Sequence, residues 1–265
     1  MLESLKKSII TKLLLIIIIV WVILALVFGF TDLEISIAVV DESSEWGNFG
    51  REYGEVPSYA LIAIALATFL GSFNDNLKLQ KIPAYISVIA GVLFIIFGED
   101  ETGLYIGWSI IIPMIFYVIV TWNVDWKNFR TLAGIISFLA IINPLVFVLL
   151  IKFLWGRVRF RDLSLSFVEY TPWFLPQGFT GDQSFPSGHT AMGWMFLPLL
   201  ITVKDRKNTD PIKILVYILI LGWGLFVGLS RIIVGAHYAS DVLFSTGFAA
   251  VTTLLLYRKE YLNKK

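Results

Sequence analysis

Apolar runs long enough to cross a bilayer recur along this chain, and they leave few folds open to it. A membrane-spanning helix needs about 20 largely apolar residues. Eight segments approach that length, at roughly 8–30, 57–73, 83–98, 104–121, 131–153, 186–203, 211–230 and 238–257. In hydrocarbon each backbone polar group must find its partner within the segment, so such runs fold as helices. Internal Gly71, Gly91, Pro113 and Pro144 are compatible with that, because neighbouring helices re-satisfy the backbone. Composition agrees: 57% of the 265 residues are apolar and 15% are charged, where a soluble domain carries about 25% charged residues. The expected fold class is therefore all-α, a polytopic transmembrane helix bundle, in which the 83–121 pair could instead form one re-entrant unit. The first run follows Lys6 and Lys7 as a signal-peptide core would. It is too long for one and lacks a small-x-small cleavage pattern, so a retained first span is expected.

A net charge of +1 gives no basic field, and no nucleic-acid partner is expected. The chain has no cysteine, which excludes disulfides and thiolate metal sites. The basic residues are unevenly distributed. With the N-terminus in the cytoplasm and spans alternating, the inner segments carry Lys6, Lys7, Lys12, Lys78, Lys81, Lys127, Arg130, Lys204, Arg206, Lys207, Lys213, Arg258, Lys259, Lys264 and Lys265. Only Arg51, Lys152, Arg157, Arg159, Arg161 and Arg231 fall outside. That bias is what the positive-inside rule predicts for both termini in the cytoplasm, with the plasma membrane the expected location. Basic residues set against the bias at a membrane boundary fit an anionic ligand or snorkelling to lipid phosphates.

Three segments meet on the expected outer side: Lys152 to Phe160 leaving the fifth span, Pro186-Ser187-Gly188-His189 opening the sixth, and Ser230-Arg231 closing the seventh, followed by His237 and Asp241. Both histidines of the chain fall here. Lysine, arginine forks and backbone N–H groups hold a phosphate. Lys152, Arg159 and Arg231 supply the cations; the turn at Ser187 supplies N–H groups and a hydroxyl at a helix start; Gly188 allows close backbone approach. His237 and Asp241 are four apart, one face of a helix. A carboxylate on one imidazole nitrogen fixes the tautomer and leaves the other to attack phosphorus. His189 would protonate the departing oxygen and then activate water. Taken singly, the His237–Asp241 pair also reads as a structural polar contact, and Pro186-Ser187-Gly188 as an ordinary helix start. Metal ligation is disfavoured by two histidines without a carboxylate pair at suitable spacing.

The three segments together resemble the signature of the type 2 phosphatidic acid phosphatase (PAP2) superfamily, which includes the vanadium haloperoxidases: K-x6-R-P, P-S-G-H and S-R-x5-H-x3-D. Here they stand as Lys152-x6-Arg159-Phe160, Pro186-Ser187-Gly188-His189 and Ser230-Arg231-x5-His237-x3-Asp241. Phe160 departs from the pattern, standing where the family usually has proline. The resemblance implies a six-helix core preceded by two further spans. It implies metal- and cofactor-independent phosphatase chemistry with His237 as nucleophile, Asp241 as its orienter and His189 as general acid. Lys152, Arg159, Ser187, Gly188 and Arg231 would form the phosphate cradle. The motifs and their helices cover about 131–257, so the chain is expected to divide into N-terminal spans over 1–130 and a catalytic core over 131–265, within one membrane domain.

The expected activity is hydrolysis of a lipid phosphate or diphosphate (polyprenyl diphosphate, phosphatidate or phosphatidylglycerophosphate) on the extracytoplasmic face, with membrane lipids as surroundings. The alternatives are a phosphotransferase or soluble-phosphate phosphatase of the same superfamily, or a non-catalytic anion-binding protein or transporter. The long external segment 160–185 carries Phe167, Tyr170, Trp173, Phe174 and Phe179; it reads equally as an interfacial aromatic belt or as a lid over a lipid substrate. The other, 31–56, is rich in Asp and Glu and is expected to be a solvated acidic loop.

Overall fold

The computed structural model describes residues 2–98 and 101–262, with side chains from Ser8 onward. The charges of Lys6, Lys7, Lys264 and Lys265 lie outside the described side chains. Among the described residues the chain is all-helical. Seven stretches of the described residues are long and apolar enough to cross a membrane: Ser8–Val39, Glu45–Gly71, Leu79–Phe97, Glu101–Val120, Trp126–Asp162, Pro211–Ile233 and Ala239–Leu262. A shorter apolar helix spans Gly188–Val203. The chain is thus a polytopic helical membrane protein, and each of the eight expected spans meets a helix. The 83–121 region forms two separate helices.

The chain falls into two compact units, one of residues up to Gly54 and from Ile141 onward, the other of Glu55–Ala140. The first two helices pack in the same unit as the helices that carry the motifs.

The second unit contains α3 (Val56–Gly71), α4 (Ile82–Phe97), α5 (Glu101–Val120) and α6 (Arg130–Ala140). Ala67, Ala84, Met114 and Trp126 form its packed centre. The loops at one end are tied by side chains. Gln80 Nε2 donates to Asp125 Oδ1 at 2.7 Å, and its Oε1 accepts from the Trp126 N–H at 2.9 Å. Lys81, expected as a loop charge, is instead fully buried. Its ammonium donates to the Val124 carbonyl at 3.0 Å and sits 4.0 Å from the Trp126 ring centroid, which compensates the removal of a charge from water.

The first unit contains α1 (Leu2–Val39), α2 (Glu45–Tyr53), α7 (Leu149–Trp155), α8 (Gly188–Gly193), α9 (Pro211–Ile233) and α10 (Ala239–Tyr257). A π-helical segment with Pro144, Ile141–Val148, precedes α7, and a 3-10 segment, Trp194–Val203, continues α8. Helix α10 is central, packed on α1, α8, the 3-10 segment and the π-helical segment. Phe147 and Phe248 stack with centroids 3.8 Å apart, Trp21 meets Phe244 edge-on at 5.5 Å, and Trp194 Nε1 donates to Thr246 Oγ1 at 2.8 Å.

The acidic segment 31–56 corrects the expectation of a solvated loop. Helix α1 continues to Val39, burying Asp32 completely while Glu34 is exposed. Beyond it, Ser44 caps α2 by accepting from the Gly47 N–H at 3.4 Å, as an N-cap serine does.

Candidate active site

The three motifs converge in the first unit, at the end where α1, α7 and α9 finish and α8 and α10 begin. The loop from α9 to α10 is turned by the Arg231 carbonyl, which accepts from the Ala236 and His237 N–H groups, both at 3.1 Å. Gly235 takes a left-handed φ of 65° there, a conformation that costs other residues more.

His237 and Asp241 meet, though not as two residues on one helix face. His237 lies just before α10, and Asp241 is the third residue of that helix. The Asp241 carboxylate reaches back, accepting from the Tyr238 N–H at 3.0 Å and from His237 Nδ1 at 3.3 Å through the same Oδ2. One carboxylate therefore caps the helix and fixes the ring, because it takes up an orphan N–H of the first turn. Ser184 Oγ donates to the same oxygen at 2.5 Å. With Nδ1–H bound to a carboxylate, Nε2 carries the lone pair.

His237 is 3% exposed. Burial pushes its pKa down to about 3; the Asp241 hydrogen bond opposes this, and the charges of Lys152 and Arg231 act with burial. The imidazole is thus neutral near pH 7, and both cations are close enough to be felt at the ring.

Lys152 donates through Nζ to the Gln183 carbonyl at 2.5 Å. A Cβ built on Gly188 would lie 3.9 Å from Lys152 Cε, so the first and second motifs face one another. Ser187 is fully buried and caps α8, accepting from the Thr190 N–H at 3.3 Å and the Thr190 hydroxyl at 2.8 Å; its own N–H donates to the Asp241 carbonyl at 3.2 Å. Arg159 is half-buried, with Nε in the interior. Its neighbours are anchored: Arg157 O accepts from the Ser184 N–H at 2.9 Å, and the Arg161 N–H donates to Gly235 O at 3.1 Å. Phe160, in the place of proline, stacks on Phe167 at 5.9 Å and meets Tyr238 edge-on at 6.4 Å. Aromatic packing holds this turn in place of a fixed φ. His189 is half-buried, its Nε2 3.1 Å from the Arg51 carbonyl.

Further residues join the cluster from outside the specified positions of the motifs. Arg157, 1% exposed, donates through Nη1 to Asp241 Oδ1 at 2.6 Å and Ser240 Oγ at 2.8 Å, through Nη2 to Asp32 Oδ2 at 2.9 Å, and through Nε to the Thr171 carbonyl at 2.8 Å. Its guanidinium also covers the Tyr238 ring, 3.9 Å from the centroid. Asp32 accepts from the Ser240 N–H at 2.9 Å and from the Ser240 hydroxyl. Of these, Asp32 was missed in the sequence; the signal that could have found it is an ionisable residue directly following an apolar run.

In the segment 160–185, Trp173 is fastened to α1: its Nε1 donates to the Ala25 carbonyl at 2.8 Å, and its ring lies 4.5 Å from Phe244. Phe174 rests against Phe30 at 6.0 Å and is more exposed.

The first unit thus places a buried carboxylate–histidine pair, with a neutral imidazole in the field of Lys152 and Arg231, at one end of a set of membrane helices. The profile of the PAP2 superfamily matches residues 133–265, and the chain belongs to that superfamily. It is 38% identical over 77 residues to undecaprenyl-diphosphatase BcrC of Bacillus subtilis, covering 29% of this chain and 35% of that protein. It is 29% identical over 110 residues to lipid A 1-phosphatase of Rhizobium johnstonii, covering 40% and 39% respectively. The chain thus spans between 35% and 39% of the length of the curated relatives it matches. No solved structure matches it.

Proposed function

We propose that the protein is a membrane lipid phosphate or diphosphate phosphatase working through a phosphohistidine on His237. The observation that carries this reading is the neutral, buried His237 held through Nδ1 by Asp241 at 3.3 Å, within the field of Lys152 and Arg231. Lys152, Arg159, Arg231 and the Ser187–Gly188 turn receive the phosphoryl oxygens. The Nε2 lone pair forms the N–P bond as the P–O bond to the lipid portion breaks, and His189 gives its proton to the leaving oxygen. Water then attacks phosphorus and passes a proton to His189; the N–P bond breaks and phosphate departs. The mechanism needs no metal.

The names of both relatives support an amphiphilic phosphate as substrate, with polyprenyl diphosphate, phosphatidate and phosphatidylglycerophosphate as candidates. The charge bias supports an extracytoplasmic site, with both termini in the cytoplasm of a plasma-membrane protein. Residues 131–265 would then be the catalytic core, with 1–130 as its N-terminal spans.

Phosphate release from a panel of these lipids, with p-nitrophenyl phosphate as a soluble comparison, tests the reading. Wild-type protein quenched in alkali during turnover should carry phosphate on histidine, and His237→Asn should carry none and lose turnover. Vanadate should inhibit and EDTA should not. Undiminished hydrolysis by His237→Asn overturns the mechanism, and no release from any substrate favours a non-catalytic anion-binding protein.

A further inference from the structure

Asp32 sits on α1, more than 100 residues before the family-matched segment, yet it reaches the catalytic pair through one side chain. Asp32 and Asp241 are bridged by Arg157, which binds them at 2.9 Å and 2.6 Å, and all three are at most 1% exposed. Ser240 adds a second link, its N–H and hydroxyl on Asp32 and its oxygen receiving Arg157. Two carboxylates therefore share one guanidinium.

This sharing has a consequence for His237. When Nε2 bonds to phosphorus, the ring retains its Nδ1 proton and becomes cationic, so the barrier depends on how much negative charge Asp241 presents. An arginine bound to Asp241 alone would cancel that charge. With Asp32 on its other edge, Arg157 fixes the orientation of Asp241 while its charge is offset elsewhere, in a low-dielectric interior where such terms are large.

We infer that Asp32 is a positioning residue for the phosphoryl-transfer step: it neutralises Arg157 so that Arg157 can hold Asp241 in place without quenching its charge on His237. This rests on the phosphohistidine reading above. It assigns a catalytic purpose to α1, which the three motifs do not include.

Asp32→Asn keeps the shape and removes the charge. It should lower kcat by about ten- to a hundredfold, within the range of coupling between members of one salt-bridge network, with KM changed less than threefold. Phosphoenzyme formation should slow, while a purely structural role would reduce the amount of folded protein and leave the rate per folded molecule intact. Asp32→Asn combined with Arg157→Gln should turn over as fast as Arg157→Gln alone, because Asp32 has nothing left to neutralise. That comparison remains informative if the single Asp32 variant folds poorly.

A readout independent of turnover separates this inference from the function on which it rests. The chain has two histidines, so 15N-histidine labelling of the detergent-solubilised protein gives two rings to assign. The Nδ1–H resonance of His237 should move upfield in Asp32→Asn as the carboxylate becomes a weaker acceptor. A wild type that releases no phosphate overturns the proposed function. An unshifted resonance, or wild-type kcat in a folded Asp32→Asn, overturns the role of Asp32.

Discussion

His189 Nε2 lies 3.1 Å from the carbonyl oxygen of Arg51, and because a carbonyl only accepts, that nitrogen carries a proton in this contact. Helix α2 thereby holds the ring assigned as the general acid. The close approach of α2 to α9 requires the absence of a side chain at Gly50, where an added Cβ would fall 2.4 Å from Ser230 Cβ and Oγ. Gly50→Ala should push α2 off α9 and draw the Arg51 carbonyl away from His189. General-acid catalysis contributes about 10²–10⁴-fold and is least needed for a good leaving group. Turnover of an alkyl lipid phosphate should therefore fall about tenfold while p-nitrophenyl phosphate hydrolysis changes little. Equal losses on both substrates would argue that α2 acts on the fold and not on the acid.

What the sequence made legible follows the range of the physics involved. Span count and class rest on hydrophobic length, a property of each segment alone. The His237–Asp241 pair is local, four residues apart, and its partnership could be read from spacing, although the geometry is a helix cap in place of a shared helix face. The Asp32–Arg157 bridge joins residues 125 apart, and no periodicity encodes such a contact. Asp32 looked like the start of a wet loop because charge usually ends a span. A buried partner reversed that rule here, as the Val124 carbonyl and Trp126 ring did for Lys81.

The aromatic segment after α7 divides into two roles. Trp173 is anchored through its Nε1–H to Ala25 and wedged against Phe244, and its carbonyl accepts from Trp155 Nε1 at 2.5 Å. Phe174 has no such hydrogen-bonded anchor. Trp173→Ala should cost about 2–3 kcal/mol of stability, below the full cost of a buried aromatic because the ring is partly exposed. Phe174→Ala should leave the thermal midpoint nearly unchanged and raise KM for lipid substrates. Thermal unfolding in a fixed detergent, paired with lipid kinetics, distinguishes the two. A midpoint that drops equally in both would assign Phe174 to the scaffold as well.

At the other unit's tied end, Gln80 bridges Asp125 and the Trp126 backbone. Gln80→Ala strands a buried N–H, at a cost of about 1–3 kcal/mol. The site residues all lie in the first unit, so kcat per folded molecule should hold while the midpoint falls. A changed kcat would mean that this end communicates with His189 and His237.

Acid should destabilise the protein through His237 in particular. Its pKa is about 3 in the folded state and about 6.5 when unfolded. Between these values the unfolded chain binds the extra proton, so stability is complete above about pH 6.5 and declines as pH falls toward 3. The loss from this one residue approaches about 5 kcal/mol at the acid limit, at about 1.4 kcal/mol per pH unit. Asn at this position can still donate to Asp241 and cannot titrate. From pH 7 to pH 4 the midpoint of His237→Asn should fall less steeply than that of the wild type. Parallel curves would mean that His237 is protonated well above pH 3 in the folded protein, which would leave it unable to act as a nucleophile in mild acid.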